Sequence, residues 1–173
     1  MEQKGIQSST DEFFMRKCID LADNAGRAGD LPFGSVVVCD GKIIGEGSNI
    51  LQQRKEVDGH AERIALLQAQ ARIKSRTLPT CTLYSSVEAC PMCSFLIREL
   101  HIQRVVFGLR SPVMGGFTRF GVLQDTGLSE KVLDYFGPPP VIVEGLLKED
   151  VAAGWQRWVP KVWKAFYENG VLE

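Results

Sequence analysis

Cys81-Thr-Leu-Tyr-Ser-Ser-Val-Glu-Ala-Cys-Pro-Met-Cys-Ser-Phe-Leu-Ile-Arg-Glu-Leu100 decides how this chain folds. It opens as an apolar run of strand length, Cys81–Ser85, and from Cys90 the pattern turns helical through Ser94-Phe-Leu-Ile-Arg-Glu-Leu. Pro91 suits the first turn of that helix, where a backbone N–H has no partner to lose. Arg104-Val-Val-Phe-Gly-Leu109 is the next strand, so the stretch belongs to a strand–helix–strand unit. Cys90 and Cys93 sit three apart on the helix start, where two thiols face the same way and can share one ion. Cys-x-x-Cys alone serves zinc sites and redox sites alike.

Upstream, Ser9-Thr-Asp-Glu12 has the form of a capping box, and Phe14, Cys18, Leu21, Ala22 and Ala25 share one face of a helix expected over 10–28. Residues 1–9 are expected to be flexible. Leu31–Cys39 reads as a strand, Asp40-Gly41 as a two-residue hairpin turn, and Lys42–Gly47 as the return strand. Ser48–Gly59 is polar and loop-like, and a helix runs from His60 to about Ile73. Downstream, 111–127 is Gly-rich and irregular, a short helix lies near 129–136, a strand near 141–147, and a helix over 149–169 breaks near Pro160. A hairpin followed by alternating helices and strands gives a mixed sheet between helices, in one domain over 10–173.

The composition is that of an ordinary globular domain: 173 residues, 45% hydrophobic and 24% charged, with a formal net charge of −1. That balance offers no general positive field for nucleic acid or an anionic membrane. No apolar run approaches the length of a membrane span, and the polar N-terminus lacks a signal peptide's apolar core. Five scattered cysteines suit a reducing, cytoplasmic setting, with Cys18, Cys39 and Cys81 as buried thiols.

Two helix starts carry ligand-type side chains, Asp58-Gly-His60-Ala-Glu62 and Cys90-Pro-Met-Cys93. His60, Cys90 and Cys93 supply three ligands, which leaves a tetrahedral zinc ion one open position, the mark of a catalytic rather than a structural site. Glu62, two residues from His60, does not share its helix face and is placed instead to move a proton.

His-x-Glu followed by Pro-Cys-x-x-Cys is the signature of zinc-dependent nucleobase deaminases, and this chain has all of it but the proline. With Pro32-Phe-Gly-Ser-Val-Val-Val, Ile44-Gly-Glu-Gly-Ser-Asn49, Thr82-Leu-Tyr and Arg104-Val-Val-Phe-Gly108 in order, residues 10 to 125 resemble the cytidine deaminase superfamily. The resemblance is to the branch of tRNA adenosine, guanine and fungal-type cytosine deaminases. It implies a cytidine deaminase-like three-layer α/β/α sandwich with a five-stranded mixed sheet, and a homodimer. It makes His60, Cys90 and Cys93 the Zn2+ ligands and Glu62 the catalytic proton carrier. It places Asn49, Phe33 and Ala61 at the substrate. In the reaction it implies, an activated water attacks a carbon bearing an exocyclic amine, and ammonia leaves.

Two positions depart from the family. Ala89 stands where proline is usual, which loosens a backbone dihedral and deletes no ligand. Val57-Asp58-Gly59 replaces Pro-Thr-Ala, so Asp58 either caps the helix or accepts a hydrogen bond from a substrate N–H. Trp155, Trp158, Val162 and Phe166 have the spacing of a packed helix, and in guanine and cytosine deaminases this segment also helps close the pocket. With few unopposed basic residues, the expected substrate is a small nucleobase, nucleoside or related amino-heterocycle (guanine-, isocytosine- or cytosine-like). Nucleic acid is the lesser expectation, as tRNA-specific adenosine-to-inosine deamination. A thiol redox protein using Cys90 and Cys93 is the remote alternative, and it leaves His60 and Glu62 without a role.

Overall fold

The structure, a computed structural model, describes residues 2–132 and 134–173, with side chains from residue 9 onward. Its elements in order are α1 (Glu2–Arg27), β1 (Gly34–Cys39), β2 (Lys42–Ser48), α2 (Leu51–Arg54), α3 (Ala61–Ile73), β3 (Thr82–Val87), α4 (Pro91–Glu99), β4 (Arg104–Leu109), α5 (Thr126–Lys131), β5 (Val141–Glu144), α6 (Lys148–Trp158) and α7 (Pro160–Glu168). The five strands form one mixed sheet in the order β2-β1-β3-β4-β5. β1 runs antiparallel to both β2 and β3, while β3, β4 and β5 are parallel.

Alternation along β1 divides the core. Val37 faces one side with Leu83, Val105 and Phe107, covered by Ala65, Leu66 and Ala69 of α3 and Cys93 and Ile97 of α4. Val36 and Val38 face the other with Tyr84 and Val106, covered by Phe14, Met15 and Cys18 of α1. A third cluster, at the end of β3 and β4, joins Val87 and Leu109 to Trp155 of α6 and to Leu172. The expected three-layer α/β/α sandwich is therefore the fold. Among the described residues no helix is long and apolar enough to cross a membrane.

α3 lies against β2 because β2 carries glycines where the two meet. A Cβ at Gly47 would stand 2.0 Å from the Ala61 carbonyl oxygen, and one at Gly45 would stand 2.1 Å from that of Ala65. The hairpin turns at Asp40 and Gly41, both with positive φ (49° and 70°), as an Asp-Gly turn requires.

Several boundaries differ from the sequence reading. α1 starts at Glu2, so the Ser9–Glu12 pattern lies inside the helix rather than at its start. Asp11 makes a tertiary contact instead: its carboxylate accepts from Tyr84 Oη at 2.7 Å and from both Arg104 guanidinium nitrogens at 2.9 and 2.6 Å. A short helix, α2, occupies the polar stretch after Ser48, β5 stops at Glu144, and the break between α6 and α7 falls at Val159, just before Pro160.

Burial raises the Asp11 carboxyl, but the hydrogen bonds from Arg104 and Tyr84 and the Arg104 charge outweigh it and hold the group below its ordinary value. A depressed carboxyl stabilises the fold above the ordinary carboxylate range and loses that contribution as pH falls through its folded value. Asp11→Ala is expected to cost roughly 3 kcal/mol at neutral pH. Urea melts at neutral pH and near about pH 3 should show the gap between the variant and the parent narrowing in acid.

Candidate metal centre and active site

Two helix starts meet at the carboxyl end of β3, where sheets of this kind place their sites. His60 is the N-cap of α3 and Cys90 the N-cap of α4, both in extended backbone conformation, with Cys93 in the first turn of α4. His60 Nδ1 lies 3.5 Å from Cys90 Sγ and 3.7 Å from Cys93 Sγ. The three donor atoms are within 4.8 Å of one another, the spacing of a group that could hold a metal ion. A tetrahedral zinc with ordinary Zn–N and Zn–S bonds sets N···S at about 3.6 Å, so this donor set fits that ion.

The electrostatics of the three groups are linked. A hydrogen bond from Cys93, reinforced by His60, outweighs burial and brings the Cys90 thiol down to about 4. Cys93, as the partner that keeps its proton, is pushed up by that same bond and by burial. The contact with Cys90 raises His60 despite partial burial. Burial, with the Cys90 charge adding to it, raises the Glu62 carboxyl to about 7.

A cavity of about 210 Å³ opens over these groups. Of the residues expected at the site, Phe33, Asn49, His60, Glu62 and Cys90 line it, and Cys93 is fully buried behind. Ala61 is also fully buried and does not line the cavity. Asp58 is not the helix cap: His60 holds the N-cap position of α3, while the Asp58 carboxylate pairs with Arg63 at 3.1 Å and is not among the residues lining the cavity. Phe166 and Leu172 form part of the wall, and Trp155 stands behind it, edge-on to Phe33 with ring centroids 5.1 Å apart.

The sequence reading missed Glu88 and Ser111, which also line the cavity. Buried Glu88 gathers the loop after β4. Its carboxylate accepts from Ser111 N at 2.8 Å, Phe117 N at 2.9 Å, Thr118 N at 2.7 Å and Thr118 Oγ1 at 2.8 Å. Gly115 lets the loop close, because a Cβ there would come within 2.1 Å of Glu88 Oε1. Ala89 is tied down next to it: its carbonyl accepts from Gly116 N at 2.8 Å and from Ser94 Oγ at 3.3 Å, which steadies the position where proline was expected. An acid two residues before Cys90 was the one available signal for Glu88. The same loop holds the chain's end, through Ser111 Oγ donating to the Val171 carbonyl and a reciprocal backbone pair between Arg110 and Glu173.

Comparison with known proteins agrees with this geometry. Residues 8–109 match the family model of the cytidine and deoxycytidylate deaminase zinc-binding region. The tRNA-specific adenosine deaminase of Haemophilus influenzae is 37% identical over 127 residues, 72% of this chain and 73% of that protein. The chloroplastic tRNA(adenine(34)) deaminase of Arabidopsis thaliana is 34% identical over 107 residues, 62% of this chain, which spans only 8% of that longer protein. Among solved structures, one from work on A-to-I editing by tRNA:A34 deaminases superposes with a TM-score of 0.73 at 25% identity, covering 82% of this chain and 98% of its own. Guanine deaminase from Bacillus subtilis superposes at 0.54 with 31% identity, covering 71% and 76%.

Glu88→Gln would turn an amide NH2 toward N–H donors that now share a carboxylate. It is expected to lower stability by about 1–3 kcal/mol in thermal melts. The zinc-to-protein ratio should stay at that of the parent, since no ligand is touched.

Proposed function

Because the chain belongs to the cytidine and deoxycytidylate deaminase family, and so to the zinc-dependent hydrolases of C–N bonds, we propose that it hydrolytically removes the exocyclic amine of a small nucleobase-type heterocycle as ammonia. The observation that carries this is the juxtaposition of His60, Cys90 and Cys93 with buried Glu62 in one cavity that is otherwise mostly apolar. His60 Nδ1 and the sulfurs of Cys90 and Cys93 would hold the metal. A zinc ion, when bound, supplies the Lewis acidity that brings a water's proton loss close to neutral pH.

The chain's own residues do the rest. Glu62, buried at the cavity beside His60 and Cys90, takes a proton from the attacking water and delivers it to the departing nitrogen. Phe33 offers an aromatic face to a planar ring, and Asn49 a hydrogen bond to its edge. Leu31, Leu51, Phe166 and Leu172 keep bulk water from the reacting carbon.

The free-base reading rests on how the cavity is closed and where the cations lie. Phe166 and Leu172, from the C-terminal segment, form part of the cavity wall and narrow the space left for anything larger than a base. Lys74, the C-cap of α3, lies at the far end of a 13-residue helix, about 20 Å from His60, and Arg76 packs over Tyr135. Arg157 is paired with Asp23 and Lys164 with Glu168. A second reading, deamination of adenosine in tRNA, has the stronger support from relatedness, through the relatives at 34% and 37% identity that act on tRNA by name. We further propose a homodimer joined through the exposed Met92 and Phe95, one turn apart on α4, and a reducing, cytoplasmic setting that suits five free thiols.

Zinc analysis, followed by ammonia release from bases, nucleosides and an anticodon-stem RNA, tests the two readings. Activity on free bases is expected, reduced about 10²–10⁴-fold in Glu62→Ala with its zinc retained. Activity confined to RNA would establish the second reading instead, and folded protein that takes up no zinc would overturn both. Phe95→Glu is expected to halve the mass measured by sedimentation equilibrium.

A further inference from the structure

Asp30, in the turn after α1, is 1% exposed and stands behind one wall of the cavity. Its carboxylate accepts four N–H groups. Oδ1 takes Leu31 N at 3.1 Å and Asn49 Nδ2 at 2.5 Å, and Oδ2 takes Gln52 N at 2.9 Å and Gln53 N at 3.2 Å. The bonds gather three segments, each contributing a residue to the wall: Leu31, Asn49 and Leu51.

The contact with Asn49 settles which way round that amide lies. A carboxylate loaded with N–H donors is an acceptor, so the amide atom facing it must be nitrogen. Asn49 Oδ1 then points away from Asp30. No described residue donates to it, and it is not among the buried side-chain atoms left without a partner, so it keeps surface on the cavity that Asn49 lines.

We propose that Asp30 is a positioning residue that fixes the polarity of the Asn49 amide, so that the substrate meets a carbonyl oxygen and is selected for a ring N–H at that edge. This rests on the deaminase reading of the site. A ring nitrogen carrying a lone pair in the same place would face that oxygen without a hydrogen, and leaving a buried acceptor unpaired costs about 10- to 100-fold in affinity.

Exchanging the two side chains tests it. In Asp30→Asn the new amide can keep its oxygen on the Gln52 and Gln53 N–H groups and turn its NH2 toward Asn49, giving up the bond that Oδ1 accepts from Leu31 N in the single and double variants alike. Asn49 must then rotate and offer its own NH2 to the cavity. In Asn49→Asp two carboxylates are forced together. Each single variant is expected to lose about 100-fold in kcat/KM on the best base of the panel, mainly through KM, with zinc content retained. In the double variant, the amide NH2 introduced at position 30 donates to one oxygen of the carboxylate introduced at position 49. The other oxygen of that carboxylate faces the substrate as an acceptor that cannot donate.

Recovery of the double variant to within about 10-fold of the parent supports the proposal. Losses that simply multiply in the double variant, with zinc and thermal midpoint intact, would overturn it, because Asp30 would then only hold the wall together. The side-chain amide signals of Asn49 give a readout independent of turnover. One downfield-shifted proton in the zinc-loaded parent, returning to an ordinary position in Asp30→Asn, supports the proposal, and an Asn49 amide unaffected by the substitution overturns it. If the parent deaminates no base while that signal behaves as stated, the functional reading fails and the amide polarity stands.

Discussion

Three donor atoms from two separate helices have to be brought within bonding range of one ion, and no local feature of the chain does this. His60 precedes Cys90 by thirty residues, and between them lie the whole of α3 and β3. What fixes the distance is the sheet. α3 is pressed on β2 and β1, α4 is carried by β3, and the antiparallel pairing of β1 with β3 sets one against the other. Core packing of this density has few alternative arrangements, so the fold itself holds the three side chains close together.

The chemistry was legible where residue type and spacing carry it. His60-Ala-Glu62 and Cys90-Pro-Met-Cys93 pointed to one cluster because such side chains have few other uses at helix starts, and the fold brings them together. Asp40-Gly41 announced its hairpin because few residues tolerate positive φ. The acids that support the site were not legible. Asp30 and Glu88 act by accepting backbone or amide N–H groups from segments close in space, and an N–H group is the same at every residue that has one. Asp58 shows the converse error: a favoured capping residue two places before the ligand pairs with Arg63 instead. At Ser9–Glu12 a local capping pattern gave way to the tertiary bonds of Asp11 with Tyr84 and Arg104.

The same limit explains why the substrate is harder to read than the reaction. The family includes relatives named for deamination of tRNA adenosine and of guanine, so membership gives the reaction class and not the substrate. What separates those substrates is the shape of the surrounding wall. Here the wall is assembled from the loop after β4, the turn at Asp30 and the segment beyond α7, all held by contacts that leave no periodic trace in the sequence.

Gly47 connects these threads. The carbonyl that approaches it belongs to Ala61, the residue between the histidine and the glutamate of the site. Even a methyl group at this strand position would push the start of α3 outward and carry both neighbours with it, opening the gap to the cysteines while leaving every donor atom chemically intact. The closeness of His60 to the cysteines thus rests in part on a residue with no side chain, whose contribution is the space it leaves empty.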